Sequence, residues 1–127
     1  VDALDYTEEL RENAKDFKTF AFEYKKERAN YADALNGLTS LIYKSNLHDD
    51  KASFENKLTK LLATPYANQA KPLIEQLNSS RANYKGLEMV LEAYKAHISA
   101  IQSVIKYNLT GEINTNIAEK AELERYY

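Results

Sequence analysis

The chain has 127 residues, with 17 Lys and Arg against 19 Asp and Glu, two His, no Cys, and only three Gly and two Pro. Zero cysteines exclude disulfide frameworks, thiolate metal sites and Cys nucleophiles. A net charge of −2 argues against a nucleic-acid polyanion as partner, and three glycines supply too few turns for a many-stranded fold.

The first predicted element is a long heptad. Ala3, Leu10, Ala14, Phe17, Ala21, Tyr24, Tyr31, Leu35, Leu38 and Ile42 recur at alternating spacings of three and four, interrupted by Thr7 and Arg28. A strand would alternate with period two, so this pattern is helical, and at 1.5 Å per residue the helix is about 60 Å long. The spacing predicts a helix over 3–45. Asn46 reads as its stop, and Asp49-Asp50 as the cap of the next helix. That second helix, 51–63, is short and carries Phe54, Leu58, Leu61 and Leu62 on one face; Thr64-Pro65 ends it.

Residues 66–71 read as a turn, because Pro72 disfavours helix at Lys71 and suits the first position of a helix itself. A third helix over 72–109 follows, with a seam of Leu73, Leu77, Ser80, Tyr84, Leu87, Leu91, Tyr94, Ile98, Ile101 and Ile105. Gly111 punctuates its end, and Ile113, Ile117 and Ala121 mark a last helix over 112–124. The fold class is all-α: one domain over 1–127, an elongated three- to four-helix bundle on two long antiparallel helices with a short helix at their turn. Phe20, Ala34, Leu41, Val90 and Val104 widen the apolar stripe beyond a two-helix seam, so a further layer is needed over it.

No apolar stretch approaches the eighteen or so residues of a membrane span, so no membrane insertion is expected within this chain. The opening Val1 reads as a processed or excised start, so a missing signal peptide is no evidence for the cytoplasm; an extracytoplasmic or cell-surface setting is slightly favoured. Asn78-Ser79-Ser80 and Asn108-Leu109-Thr110 match the glycosylation string, which arises readily by chance. Tyr107-Asn108-Leu109-Thr110-Gly111-Glu112 resembles a string in some extracytoplasmic sensor bundles of bacterial chemoreceptors and kinases. It spans six residues and assigns no family.

Chemistry-bearing motifs are scarce. His48 and His97 belong to no His-Glu-x-x-His or Glu-x-x-His string, and no phosphate-cradling glycine loop occurs, so neither catalysis nor a cofactor nor a metal is expected. His48 reads as a solvated loop residue and His97 as a partly buried one flanking the seam. Glu8 and Glu12, and Glu88 and Glu92, sit one turn apart beside Lys and Arg, the ordinary pattern of a solvated helix face.

Arg28 stands in an otherwise apolar seam, where a lone cation is costly unless paired. The register that sets Ile42 near Leu73 brings it to Glu88, predicting a buried Arg28–Glu88 ion pair; the alternative is a stem that snorkels to water. Tyr24, Tyr31, Tyr84 and Tyr94 lie on the seams, as core aromatics or as the lining of a small-molecule cleft. Phe22, Tyr43, Met89 and Tyr107 fall outside the seams and are expected on the surface, where aromatics and Met mark protein contacts. Arg28-Ala29-Asn30-Tyr31 recurs as Arg81-Ala82-Asn83-Tyr84, in different heptad positions, and reads as coincidence. The leading expectation is a non-catalytic helical protein-binding domain, its partner another protein or a second copy of itself. The alternative is an extracytoplasmic ligand-sensing bundle.

Overall fold

The computed structural model describes the backbone of residues 3–125 and the side chains of residues 5–108. Three helices follow one another: α1 Ala3–Lys44, α2 Phe54–Leu61 and α3 Ala67–Arg125. The described residues contain no strand. The chain falls into two compact units, Ala21–Met89 and the pairing of Val1–Phe20 with Val90–Tyr127.

α1 stops as its sequence asks. Asn46 takes φ 60°, the left-handed conformation that Asn tolerates better than most residues. Leu47 N then reaches the Ile42 carbonyl at 3.0 Å and Asn46 N the Tyr43 carbonyl at 3.1 Å. These two bonds are the Schellman pattern, which satisfies carbonyls the helix leaves open. The cap of α2 differs from expectation. Ser53, in extended conformation, accepts from Asn56 N, while Asp50 accepts from Ala52 N at 2.9 Å one turn earlier. The aspartates therefore shape the approach and the serine caps the helix.

The third segment departs furthest from prediction. The predicted turn at 66–71 is mostly helix, with Pro72 inside α3 rather than at its start. Thr64 Oγ1 accepts from Tyr66 N at 3.2 Å, and Ala70 N donates to the Tyr66 carbonyl at 2.9 Å, so the first turn forms ahead of the proline. Ala70, fully buried, rewards that turn with core contact. The missing proline N–H orphans a carbonyl only near the helix start, where solvent reaches it. At the other end α3 continues past Gly111 to Arg125. Glycine weakens a helix by about 1 kcal/mol without terminating it. The stripe of Ile113, Ile117 and Ala121 lies outside the described side chains.

In the unit Ala21–Met89, α1 and α3 run antiparallel, as the contacts of Tyr24 with Glu88 and of Tyr31 with Tyr84 require. Their core joins Ala34, Leu38, Leu41 and Ile42 to Ala70 and Leu77, with Leu58 and Leu61 inserted from α2. Here α2 supplies the layer that the flanking Ala34 and Leu41 required. Leu62, assigned by its spacing to the same face, is the C-cap of α2 and 40% exposed.

In the unit built from the N-terminal part of α1 and the C-terminal part of α3, Leu91 and Ile101 are buried. Leu10, Phe17, Ile98 and Ile105 are half-buried, and Val104 is exposed. Phe20 is covered by Tyr94, ring centroids 5.4 Å apart.

Candidate functional site: a paired arginine–tyrosine cluster

Two arginines and three tyrosines converge at one place in the unit Ala21–Met89. The two copies of the Arg-Ala-Asn-Tyr string meet there. Arg28 is three before Tyr31 and four after Tyr24; Arg81 is three before Tyr84 and four after Leu77. The two arginines thus hold equivalent positions relative to the apolar residues on either side of them. Helices pairing antiparallel set equivalent flanks on the same face, so Arg28 and Arg81 share one side of the pair.

The contacts are reciprocal. The Arg28 guanidinium carbon stands 4.6 Å from the Tyr84 ring centroid and 6.0 Å from that of Tyr31. The Arg81 guanidinium carbon stands 5.8 Å from the Tyr31 centroid. Between them the rings of Tyr31 and Tyr84 meet edge to face, centroids 5.3 Å apart at 75°. Tyr24 adds a second edge contact to Tyr84, at 6.2 Å and 83°. The negative ring faces attract the cations and the ring edges suit one another, so the cluster holds together without a carboxylate.

The predicted Arg28–Glu88 ion pair is not formed. Arg28 is exposed, no ion pair joins the two, and Glu88 instead accepts a hydrogen bond from the Tyr24 hydroxyl at 3.0 Å. The register explains the correction. The alignment that sets Tyr24 against Glu88 sets Arg28 against Tyr84 and Tyr31 against Arg81, about one helical turn from the expected one. Arg28 ends as the snorkelling alternative described, with a ring face in place of open water around part of its head. The hydrogen bond to ionised Glu88, followed by desolvation, holds the Tyr24 phenol above its ordinary value near 10.

The four seam tyrosines do not line one cleft. Tyr24, Tyr31 and Tyr84 fill space against one another, and Tyr84 is buried. Tyr94 belongs to the other unit, where with Asn13, Ala93 and His97 it borders a shallow hollow of about 280 Å³. His97 is more open than predicted; its Nε2 lies 3.1 Å from Glu9 Oε1. His48 is less open than predicted: its ring stacks on Tyr43, centroids 4.4 Å apart at 9°. Its Nε2 lies 3.4 Å from Asp49 Oδ2. Asp50 pairs with Lys60; that ammonium, with the Ala52 amide, holds the Asp50 carboxyl below its usual range.

All four side chains placed outside the seams are exposed: Phe22 68%, Tyr43 61%, Met89 75% and Tyr107 79%. An offset of two residues is about 200° around a helix, which puts Phe22 opposite Tyr24 on α1 and Met89 opposite Leu91 on α3. Tyr43 is no bare anchor, since one face of its ring is taken by His48.

Sequence reasoning missed the arginine–tyrosine cluster although its signal was visible as the repeated string. Arg28 was counted as a seam residue and Arg81 was not, so the equivalence was lost. No group of three or more potential metal ligands occurs among the described residues. The chain matches no protein-family profile, no curated protein and no solved structure.

Proposed function

We propose that this chain is a non-catalytic helical interaction domain that binds a protein through side chains on the outer faces of α1 and α3. The observation that carries this reading is the exposure of Phe22, Met89 and Tyr107, each more than two-thirds open to solvent. Large apolar groups on the outer face of a paired helix contribute nothing to its own core, and Met and aromatics are the types enriched in protein interfaces. Tyr43 with its stacked His48 offers a further contact at the end of α1. Charged neighbours such as Glu23, Lys25 and Lys26 steer approach. The partner is another protein or a second copy of the chain, in a surface or extracytoplasmic setting.

The test places a photo-crosslinking amino acid at Phe22 or Met89, with the exposed Asn56 on α2 as a control away from the outer faces of α1 and α3. The expected result is a discrete adduct at both positions and none at Asn56. Excess wild-type chain competes it away, and the Phe22→Ser, Met89→Ser double variant does not. An adduct of dimer mass assigns the contact to self-association, which sedimentation velocity then measures directly. Equal crosslinking at Asn56, or equal competition by the double variant, refutes the proposal.

A further inference from the structure

The arginine–tyrosine cluster leaves hydrogen-bonding capacity unused. Guanidinium groups carry five N–H donors in a planar fork suited to carboxylates. Contact with a ring face occupies none of them. Neither Arg28 nor Arg81 makes an ion pair or a side-chain hydrogen bond among the described residues. The Arg81 Nε is shielded from solvent with no partner at all. A donor so placed costs stability unless something accepts from it.

Arg81 also borders a groove of about 260 Å³ between α2 and α3, with Leu58, Leu62 and Ile74 as apolar lining and Glu55 on its edge. Glu55 makes no ion pair with Arg81, although both line the groove. Arg28 reinforces the field there. Each arginine carbon is 6.0 Å or less from the Tyr31 centroid, so the two cations are at most about 12 Å apart, close to one Debye length.

From these contacts we infer that Arg81, supported by Arg28, forms a binding site for a carboxylate carried on a short branched apolar body, the carboxylate on the guanidinium fork and the body in the groove. The cluster positions the fork in advance, because the ring of Tyr31 holds the Arg81 head at 5.8 Å, and no group among the described residues accepts from its terminal N–H donors. The apolar lining distinguishes such a ligand from bare phosphate, which would use the fork alone. The carboxylate comes from a free acid or from a Glu side chain beside a Leu in a peptide.

The experiment follows the Arg Nε–Hε resonances of the ¹⁵N-labelled full chain during titration with 4-methylpentanoate. Parallel titrations use the neutral 4-methylpentanamide, inorganic phosphate, and a blocked peptide in which Leu and Glu lie one helical turn apart. The expected result is a saturable shift at Arg81 with a dissociation constant on the order of 1 mM, absent with the amide and weaker with phosphate at matched ionic strength. A stronger response to the peptide assigns the source as a polypeptide; a stronger response to the free acid assigns a metabolite-like ligand. Arg81→Gln abolishes the shift at the remaining Arg28, and Arg28→Gln weakens binding about two- to fivefold. Glu55→Gln tightens it by removing a like charge, an outcome that keeps the idea falsifiable if Arg81→Gln fails to fold. No saturable response to either carboxylate, equal binding of amide and acid, or equal binding of phosphate and acid overturns the inference. Neither Phe22 nor Met89 lines the groove, so this result is independent of the crosslinking test.

Discussion

The two glycines with described side-chain surroundings make a paired experiment. Gly86 lies in the exposed interior of α3, and a Cβ built there meets nothing within 4 Å. Alanine restricts the unfolded chain and suits a helix, so Gly86→Ala should stabilise by about 1 kcal/mol. Gly37 sits where α1 and α3 approach closely; a Cβ there would lie 2.9 Å from Leu73 Cδ1 and 3.3 Å from Cδ2. The same helical gain is then opposed by displacing Leu73, a half-buried side chain packed on the core. Overpacking costs about 1–3 kcal/mol, so Gly37→Ala should be neutral to destabilising by roughly 2 kcal/mol once the helical gain is subtracted. Urea denaturation followed by far-UV circular dichroism measures both, and thermal melting should show Gly86→Ala higher by about 3–6 °C. If Gly37→Ala stabilises as much as Gly86→Ala, the helices do not approach as closely as the contact with Leu73 requires. If Gly86→Ala destabilises, that face of α3 is covered in solution, which points to a second copy of the chain.

Ser53→Ala removes the side-chain N-cap of α2 and should cost about 1 kcal/mol in the same denaturation assay. Leu61→Ala empties a fully buried position in the three-helix core and should cost about 2–5 kcal/mol, the largest loss among these variants. Ultraviolet absorbance titration should find Tyr24 ionising above its ordinary value, and Glu88→Gln should bring it down. Folding raises this pKa, so its contribution to stability is whole below the unfolded value near 10 and is lost as pH rises through the folded one. Asp50 behaves oppositely: folding lowers its pKa, so its contribution is whole above the unfolded value of 3.8 and is lost as pH falls through the folded one. Lys60→Met should raise the Asp50 pKa in a carbon-detected NMR titration; an unchanged value would show that the Asp50–Lys60 contact does not persist in solution.

The proposed activities separate by the kind of surface they use. Protein binding through Phe22, Met89 and Tyr107 draws on apolar groups pointing away from the paired faces, where loss of one anchor weakens binding without unfolding the chain. The arginine–tyrosine site draws on polar groups that the fold itself fixes. A salt titration tells them apart: the carboxylate site weakens with ionic strength, and apolar contact changes little.

The helices, and the paired heptads that bring α1 and α3 together, were legible in the residues alone. So was the stop at Asn46, because a three-four spacing and a left-handed Asn are local properties that need no partner. What lay beyond local reasoning was every decision in which two segments compete. The extension of α3 back to Ala67 follows from the burial of Ala70, a reward visible only when α1 and α2 are in place. The choice of ring face over carboxylate for Arg28 follows from a register set about one turn away from the expected one. A heptad fixes which stripe of a helix is buried but is nearly indifferent to sliding by a turn, since the next turn presents a similar apolar surface. The packing of Leu73 on Gly37, the hydrogen bond of Tyr24 to Glu88 and the insertion of Leu58 and Leu61 select one of those near-equivalent alignments. That selection is what turned a repeated tetrapeptide into a single site.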